Sequence, residues 1–345
     1  MRSAFRRAAI PILALLLSAC DGGGPEPASV VLYSSIDDTY TRQITRAFEQ
    51  ETGIRVKVVT DSEAAKSTGL LQRLLAEKER PVADVFWSGD VMRALKLRAA
   101  GISDPLADAG GEIPGFDRAW GIGTGPGRLR MIAFNSRLLK PGQVPQRVED
   151  LATPGVANRC CLANPLFGST LMHAAMLLQL WGREKAEKFF RDFAANGGRV
   201  LASNGEVKRR VSDGEFAFGL TDSDDVAVAI GDGKDLGYRL PDQGEGDSGA
   251  VLIPSAAVLV RGAPHRDSGE RLAHFLGRAD MQRMLRDGEA AFFPLLPGGA
   301  EKIAKVWSFD FAEIKLAPRM NEQTIAIFET WAGSFLETWV QDRQR

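Results

Sequence analysis

Apolar and polar positions alternate between two periods along the first third of the chain. The runs "ASVVLYSS", "IRVKVVT" and "ADVFWSG" have the β-branched or alternating pattern of strands, and each precedes a stretch with apolar residues at helical spacing. The first of these stretches, "DDTYTRQITRAFEQETG", opens with acids and ends on Gly53, a helix stop signal. Strands that alternate with helices predict an α/β domain with a largely parallel sheet.

The turns after the predicted strands are small and polar. Ligands of open α/β sheets bind at the carboxyl ends of the strands, so these turns supply the candidate binding residues. The candidates are Ser34, Ser35, Asp37, Glu63, Ser67, Thr68, Trp87, Ser88, Asn164, Gly168, Ser169, Thr170, Asn204, Thr221, Asp222 and Asp224. Such residues are also preferred helix caps that need no ligand. Six such turns in one chain favour a cleft, which helix N-termini would make favourable for anions.

The turn "GLTDSDD", residues 219–225, carries three carboxylates within four positions. One or two acids in a first helical turn are explained by the helix dipole, which contributes about 0.3–1 kcal/mol for each. Three are more than capping requires. We therefore expect Asp222 to contact the solute or its cation directly, with Asp224 or Asp225 supporting the helix N-terminus. In the alternative, only Asp222 points into the cleft and the other two acids face water.

Trp87 ends a predicted strand and has two interpretations. It is either a core aromatic residue or one wall of the cleft, where its ring would stack on a ligand or contact an amine. The sequence leaves both open.

The composition excludes several classes of function. The 345 residues include 43 basic and 44 acidic side chains, for a net charge of −1, without a basic patch. We therefore expect no nucleic-acid partner. The three histidines have no zinc-site spacing, and GxSxG, Walker and GxGxxG motifs after a strand are absent. We expect a binding protein without a cofactor; a hydrolytic enzyme and a structural lipoprotein without a ligand are the alternatives.

The N-terminal segment predicts where the protein resides. Three arginines, the apolar run "AIPILALLL" and small residues have the layout of a secretory signal, and the run is too short to span a bilayer. The sequence "LSAC" resembles the lipobox of bacterial lipoproteins, which implies that Cys20 is lipidated. An ordinary signal peptide that contains a cysteine is the alternative. The following "DGGGPEP" predicts a flexible tether, and Asp21 resembles the signal that retains such lipoproteins on the periplasmic face of the Gram-negative inner membrane.

The two remaining cysteines, Cys160 and Cys161, are adjacent. Adjacent cysteines can form a disulfide only with strained geometry, so we predict two buried thiols in a strand.

A linked series of motifs resembles the solute-binding lipoproteins of ABC importers. The motifs include "PVADVFWSGD", "MIAFNSRLL", "LANPLFGST" and "GEFAFGLTDSDD", and the resemblance runs from about Ser29 to about Trp339. The nearest group holds the periplasmic ferric-ion binding proteins and their relatives for small anions and organophosphonates. The resemblance implies a monomer that delivers a small solute or metal ion to an ABC permease and its ATPase.

The resemblance also implies the architecture. The expected fold is an α/β, two-lobed periplasmic-binding-protein fold of type II, with two crossing hinge strands and the ligand cleft between the lobes. We place the crossings at 128–136 and 250–264. The expected division is a signal peptide over 1–19, a tether over 20–28, lobe 1 over 29–127, lobe 2 over 128–252, a return to lobe 1 over 253–280 and a C-terminal helical region over 281–345.

The chain departs from the family at the ligand. Ferric-ion binders of this group carry two adjacent tyrosines where this chain has "TDSDD", and Tyr33, Tyr40 and Tyr238 lie elsewhere. Carboxylates could replace phenolates, because hard cations accept oxygen ligands. A metal ion carried as the transported ligand would then be held by Asp37, Glu63, Asp222 and Asp224.

An organic ligand is the alternative to ferric ion. A small anion or zwitterion, such as an aminoalkylphosphonate, would place its amine on Asp222 or Asp224. The serine and threonine hydroxyls of the other turns would hold its polar end by charge-assisted hydrogen bonds.

Overall fold

The computed structural model describes residues 28–60, 69–106, 123–289, 291–295, 306–318, 320 and 322–344. The predicted signal peptide and nearly all of the tether, with Cys20, lie outside these residues, as do the candidates Glu63, Ser67 and Thr68. No helix among the described residues is both long and apolar enough to cross a membrane.

The strands have the following bounds. They are β1 (Ser29–Ser34), β2 (Arg55–Thr60), β3 (Val85–Ser88), β4 (Ser103–Asp104), β5 (Gly123–Asn135), β6 (Cys160–Ala163), β7 (Arg199–Leu201), β8 (Phe218–Asp222), β9 (Leu236–Arg239) and β10 (Leu252–Val260). Their order in the sheet is β2-β1-β3-β10-β5-β8-β6-β7, with β4 beside β10 and β9 beside β5.

The helices surround this sheet. They are α1 (Asp38–Thr52), α2 (Gly69–Ala76), α3 (Val91–Ala99), α4 (Gly168–Ala195), α5 (Asn204–Ser212), α6 (Ser223–Gly231), α7 (Arg266–Gly277), α8 (Ala279–Asp287), α9 (Glu322–Trp331) and α10 (Glu337–Gln344). Short 3₁₀ helices occur at Pro141–Gln143, Glu149–Ala152 and Ala157–Arg159, and a π-helical turn, Ala332–Leu336, joins α9 to α10.

Local signals account for several helix ends. Helix α1 stops at Gly53, which adopts the left-handed conformation (φ 70°) and whose N–H donates to the Glu49 carbonyl. Asp90 is the N-cap of helix α3, and its side chain accepts a hydrogen bond from the Arg93 N–H. Helix α2 ends at Ala76, and residues 77–79 form a turn before Pro81.

Two long strands connect the halves of the sheet. The first half of β5 pairs with β10, and from Arg130 onward β5 pairs with β8 and β9. Strand β10 pairs with β5 through its first residues and with β3 through its later ones, with a register shift at Pro254–Ala256. We call the part built on β1–β3 the first lobe and the part built on β6–β9 the second lobe. The residue bounds of the lobes stay predictions.

The C-terminal region packs on the second lobe. The rings of Trp331 and Trp339 lie against Phe190 of α4, and Trp339 Nε1 donates to the Phe190 carbonyl at 2.9 Å. Residues 306–318 form turns and extended chain instead of helix, so the predicted helical region is interrupted. The rings of Trp307 and Phe311 stack on Phe293 there and hold this segment to the core.

Candidate functional site

Strands β5 and β8 place an arginine opposite an aspartate at the centre of the sheet. Arg130 and Asp222 are directly paired across the two antiparallel strands. Asp222 ends β8 and is the residue before α6, so its carboxylate lies where the sheet meets a helix start. This position follows from the apolar run before "TDSDD", which fills the buried strand.

The Arg130 guanidinium is completely buried and is bound on several sides. Its Nη1 donates to Asp222 Oδ1 at 2.7 Å, a buried ion pair. The other acceptors, at 3.2–3.5 Å, are Ser169 Oγ, Asn204 Oδ1, Thr170 Oγ1 and the Leu220 carbonyl. The turns that carry Ser169, Asn204 and Asp222 therefore meet around the Arg130 guanidinium, which is a side chain of the protein itself.

Asp222 is fully engaged by its neighbours. Its Oδ2 accepts hydrogen bonds from Ser169 Oγ and from Asn204 Nδ2, the latter at 3.1 Å, and lies 3.4 Å from Arg128 Nη1. Burial disfavours the charged carboxylate, but the two arginines outweigh it and lower the pKa of Asp222 below its ordinary value. Asp222 therefore stays ionised as the counter-charge of a buried guanidinium.

Arg128 lies two residues before Arg130 on β5. Its side chain is 18 % exposed, whereas that of Arg130 is 0 % exposed. Its Nη2 donates to the Gly89 carbonyl at 2.7 Å and its Nη1 to Asp224 Oδ2 at 3.3 Å. Burial opposes its charge, but Asp224, Asp222 and Asp37 together raise the pKa of Arg128 above its ordinary value.

The other two acids of the turn have different surroundings. Asp225 is 2.9 Å from the Thr221 hydroxyl and 3.5 Å from Lys208 Nζ. Asp224 Oδ1 is buried and has no hydrogen-bond partner among the described residues. Burial raises the pKa of Asp224 to about 7, Arg128 opposes this, and Asp225 adds to it. Asp224 is thus the acid with an unused oxygen.

His173 completes the surroundings of the Arg130 ion pair. It is buried in α4, and its burial together with the Arg130 charge lowers its pKa to about 3. The imidazole is therefore neutral at physiological pH and adds no charge to the site.

The structure brings together six of the candidates. Ser169, Thr170, Asn204, Thr221, Asp222 and Asp224 lie in one hydrogen-bonded cluster with the two arginines. Asp37, at the start of α1 in the first lobe, is close enough to influence the charges of Arg128 and Asp224. Gly168 begins α4 with a left-handed backbone (φ 56°), which favours glycine there. Their contacts with a ligand stay predictions.

Three polar candidates have local structural partners instead. The Ser34 hydroxyl is completely buried and bonds with Thr41 of α1 at 2.9 Å. Ser88 Oγ accepts from the Asp90 N–H, and Asn164 Oδ1 accepts from the Leu166 N–H. These side chains stabilise the turns in which they lie, and their role as ligand contacts stays a prediction. Ser35 is half-buried, and its Oγ accepts from the Gly89 N–H at 3.0 Å.

Trp87 belongs to the core. It is 1 % exposed and packs with Val30, Leu32 and Leu272 in a cluster of apolar side chains. This burial favours the interpretation as a core residue. Strand β3 is buried along its whole length, so its sequence has no alternation that would distinguish its two faces.

Arg128 and Arg130 were not among the candidates named from the sequence. Two arginines at i and i+2 on a strand point to the same face, and here they interrupt an otherwise apolar crossing segment. Two charged side chains in a strand that is predicted to be buried need oppositely charged partners. Their presence in this strand was the signal that a buried ionic site lies nearby.

Comparison with known proteins agrees with this architecture. The family model described as bacterial extracellular solute-binding protein matches residues 29–288. The chain belongs to this family. Members of the family bind solutes and are not enzymes, so the protein is the solute-binding component of an ABC importer.

Individual relatives are distant. The major ferric iron-binding protein of Neisseria meningitidis is 26 % identical over 292 residues, which cover 82 % of this chain and 86 % of that protein. A Salmonella paratyphi A periplasmic protein, named provisionally for 2-aminoethylphosphonate binding, is 25 % identical over 238 residues, covering 67 % and 66 %. The crystal structure of iron-bound HitA from Pseudomonas aeruginosa superposes with a TM-score of 0.78 at 20 % identity, covering 91 % and 99 %. The predicted fold class is confirmed.

Proposed function

We propose that this solute-binding protein captures a small zwitterionic organic solute, with an amine at one end and a phosphonate or carboxylate at the other. The observation that carries the proposal is the neighbourhood of Asp224 and Arg128. A buried carboxylate oxygen without a partner among the described residues lies beside a guanidinium that is still partly exposed. An unpaired acceptor beside a partly exposed cation matches a ligand with both charges.

The amine would bind Asp224. Leaving a buried carboxylate oxygen without a hydrogen bond is costly, and a ligand ammonium would remove that cost. Asp222, which the sequence favoured for this role, is already neutralised by Arg130 and held by Ser169. We therefore assign the binding of the amine to Asp224 instead of Asp222.

The anionic end would bind Arg128. A guanidinium presents donors in a planar fork that suits phosphonate and carboxylate oxygens. Arg130 has no exposed surface and is already paired with Asp222, so Arg128 is the better candidate for the anionic end.

Ferric ion bound through phenolates fits this chain poorly. The Tyr33 hydroxyl donates to Glu77, and the Tyr238 hydroxyl lies 2.8 Å from Ser308 Oγ. Tyr40 is buried with its ring against Phe292, and burial raises its pKa above the ordinary value. These are all the tyrosines of the chain, so a tyrosine pair at the position of "TDSDD" is absent.

Ferric ion bound through carboxylates is the second candidate. One oxygen each of Asp222, Asp224 and Asp225 lies within 4.8 Å of the others. Hard cations accept such ligands, and relatives at 26 % identity are named for ferric iron. Against this candidate, Arg130, Arg128 and Lys208 already supply positive charge to the three acids.

Calorimetric titration of the purified, ligand-free protein tests the proposal. The probes are 2-aminoethylphosphonate, ethylphosphonate without the amine, ethylamine without the phosphonate, and ferric citrate. We expect the zwitterion to bind about tenfold to a hundredfold more tightly than either single-charge analogue, because each charged hydrogen bond is worth about 1.5–3 kcal/mol. Asp224→Asn should remove the advantage of the amine, so that the zwitterion and ethylphosphonate bind the variant with similar affinity.

The opposite pattern would overturn the proposal. If ferric citrate loads the protein with one iron and the zwitterion does not bind, the carboxylate site for iron is the correct function. If 2-aminoethylphosphonate does not bind, titrations with β-alanine and taurine follow. Binding of either would show that the anionic group was chosen wrongly, and binding of neither would show that the ligand is not a zwitterion of this kind.

We also propose the cellular setting. The predicted lipid on Cys20 would tether the protein to the periplasmic face of the bacterial inner membrane, where it would meet the ABC permease and its ATPase as a monomer. The support is the resemblance of "LSAC" to a lipobox and the flexible segment after it.

A further inference from the structure

Arg128 is positioned where the chain passes from one lobe to the other. On β5 it pairs with Ile253 of β10, and two residues later Arg130 pairs with Asp222 of β8. Its long side chain therefore starts at the boundary between the two parts of the sheet and can reach residues of both.

The contacts of Arg128 do span both lobes. Gly89, whose carbonyl accepts from Nη2 at 2.7 Å, follows β3 in the first lobe. Asp224, whose Oδ2 accepts from Nη1 at 3.3 Å, is in the first turn of α6 in the second lobe. A Cβ at Gly89 would lie 3.2 Å from Nη2, so the glycine lets the guanidinium approach the backbone closely.

Like charges face each other on either side of this contact. Asp37, at the start of α1, and Asp224, at the start of α6, belong to different lobes, and the charge of Asp37 disfavours ionisation of Asp224. Asp222 and Asp225 add negative charge on the side of the second lobe. Among the residues that the structure describes, Arg128 is the cation seen to contact both sides, because Arg130 and Lys208 bind acids within the second lobe.

We propose that Arg128 is a latch that holds the two lobes together. Its guanidinium bonds the backbone of the first lobe to a carboxylate of the second and offsets the repulsion between Asp37 and Asp224. A solute that binds between the lobes must exchange these contacts for its own. This inference does not depend on which solute is bound.

Small-angle X-ray scattering of the ligand-free protein tests the latch. Arg128→Gln removes the charge and the fork of donors, so we expect the lobes to separate. For a compact chain of this length, with a radius of gyration near 20 Å, separation should increase the radius by roughly 0.5–1 Å. Circular dichroism and the melting curve establish that the variant is folded before the scattering is interpreted.

Two further variants sharpen the result. Lys208→Gln removes a cation that pairs with Asp225 inside the second lobe, and it should leave the radius of gyration unchanged. Adding Asp224→Asn to Arg128→Gln removes the facing negative charge and should bring the radius partly back. The latch is refuted if Arg128→Gln has the radius of the unmodified protein, or if Lys208→Gln opens it equally. Since no solute is present, these outcomes are independent of the ligand proposed above.

Discussion

At the scale of single residues, the structure changes the meaning of Asp222. The sequence identified it as the acid that contacts the solute, because three carboxylates exceeded what a helix start requires. The structure shows it 1 % exposed and bound by Arg130. Its partner lies 92 positions away along the chain, and a contact of that separation cannot be obtained from local periodicity. The sequence therefore indicated the position of the carboxylate but not Arg130, the charge that it neutralises.

Asp222→Asn should therefore destabilise the empty protein. The substitution leaves the buried Arg130 guanidinium without its counter-charge, which typically costs about 3–5 kcal/mol. The free energy of unfolding from a denaturant titration measures the loss. Asp38→Asn is the matched control, because Asp38 pairs with Arg42 while 49 % exposed and should change stability by at most about 1 kcal/mol. A loss for Asp222→Asn as small as that of the control would show that Asp222 is not the required counter-charge.

At the scale of elements, local patterns predicted what is local. Helix α1, with its stop at Gly53, follows from apolar spacing and a C-cap glycine, both of which lie within a few residues. Buried strands such as β3 were located, but their two faces were not distinguished, because a strand buried on both sides has no alternation. The candidates at the ends of such strands were consequently a mixture of site residues and turn residues.

The position of β8 depends on Gly219. A Cβ at this residue would lie 2.6 Å from Val207 Cγ1 and 3.0 Å from the Cys161 carbonyl, so β8 can lie this close to α5 and β6 only with glycine. Gly219→Ala should cost about 1–3 kcal/mol through overpacking, seen as a lower midpoint of thermal or denaturant unfolding.

Gly231→Ala is the control for this substitution. Gly231 is the exposed last residue of α6, and no atom lies within 4 Å of its virtual Cβ. Alanine there should be neutral or stabilise the protein by up to about 1 kcal/mol. If both variants unfold at the same midpoint, close packing at Gly219 does not determine the position of β8.

At the scale of the whole molecule, the family resemblance predicted the fold and the structure supplied the charge arrangement. The two crossing strands, β5 and β10, overlap the segments expected from apolar runs, although β5 begins earlier, at Gly123. The crossing places Arg128 against both Gly89 and Asp224, which are 39 and 96 positions away. This contact forms only when the lobes are assembled, so it cannot be predicted from the sequence of any one segment.

The proposed membrane attachment of the whole molecule depends on Cys20. If that residue carries acyl chains, the segment 21–28 can extend at most about 28 Å, which keeps the lobes near the membrane surface and its permease. Cys20→Ala should release the protein into the soluble periplasmic fraction, because stable anchoring requires acyl chains and no helix among the described residues could replace them. Cys160→Ala removes a buried thiol of β6 instead and should leave the protein with the membranes. Immunoblots of the two fractions measure both outcomes, and a Cys20→Ala variant that still sediments with membranes would show that another feature provides the attachment.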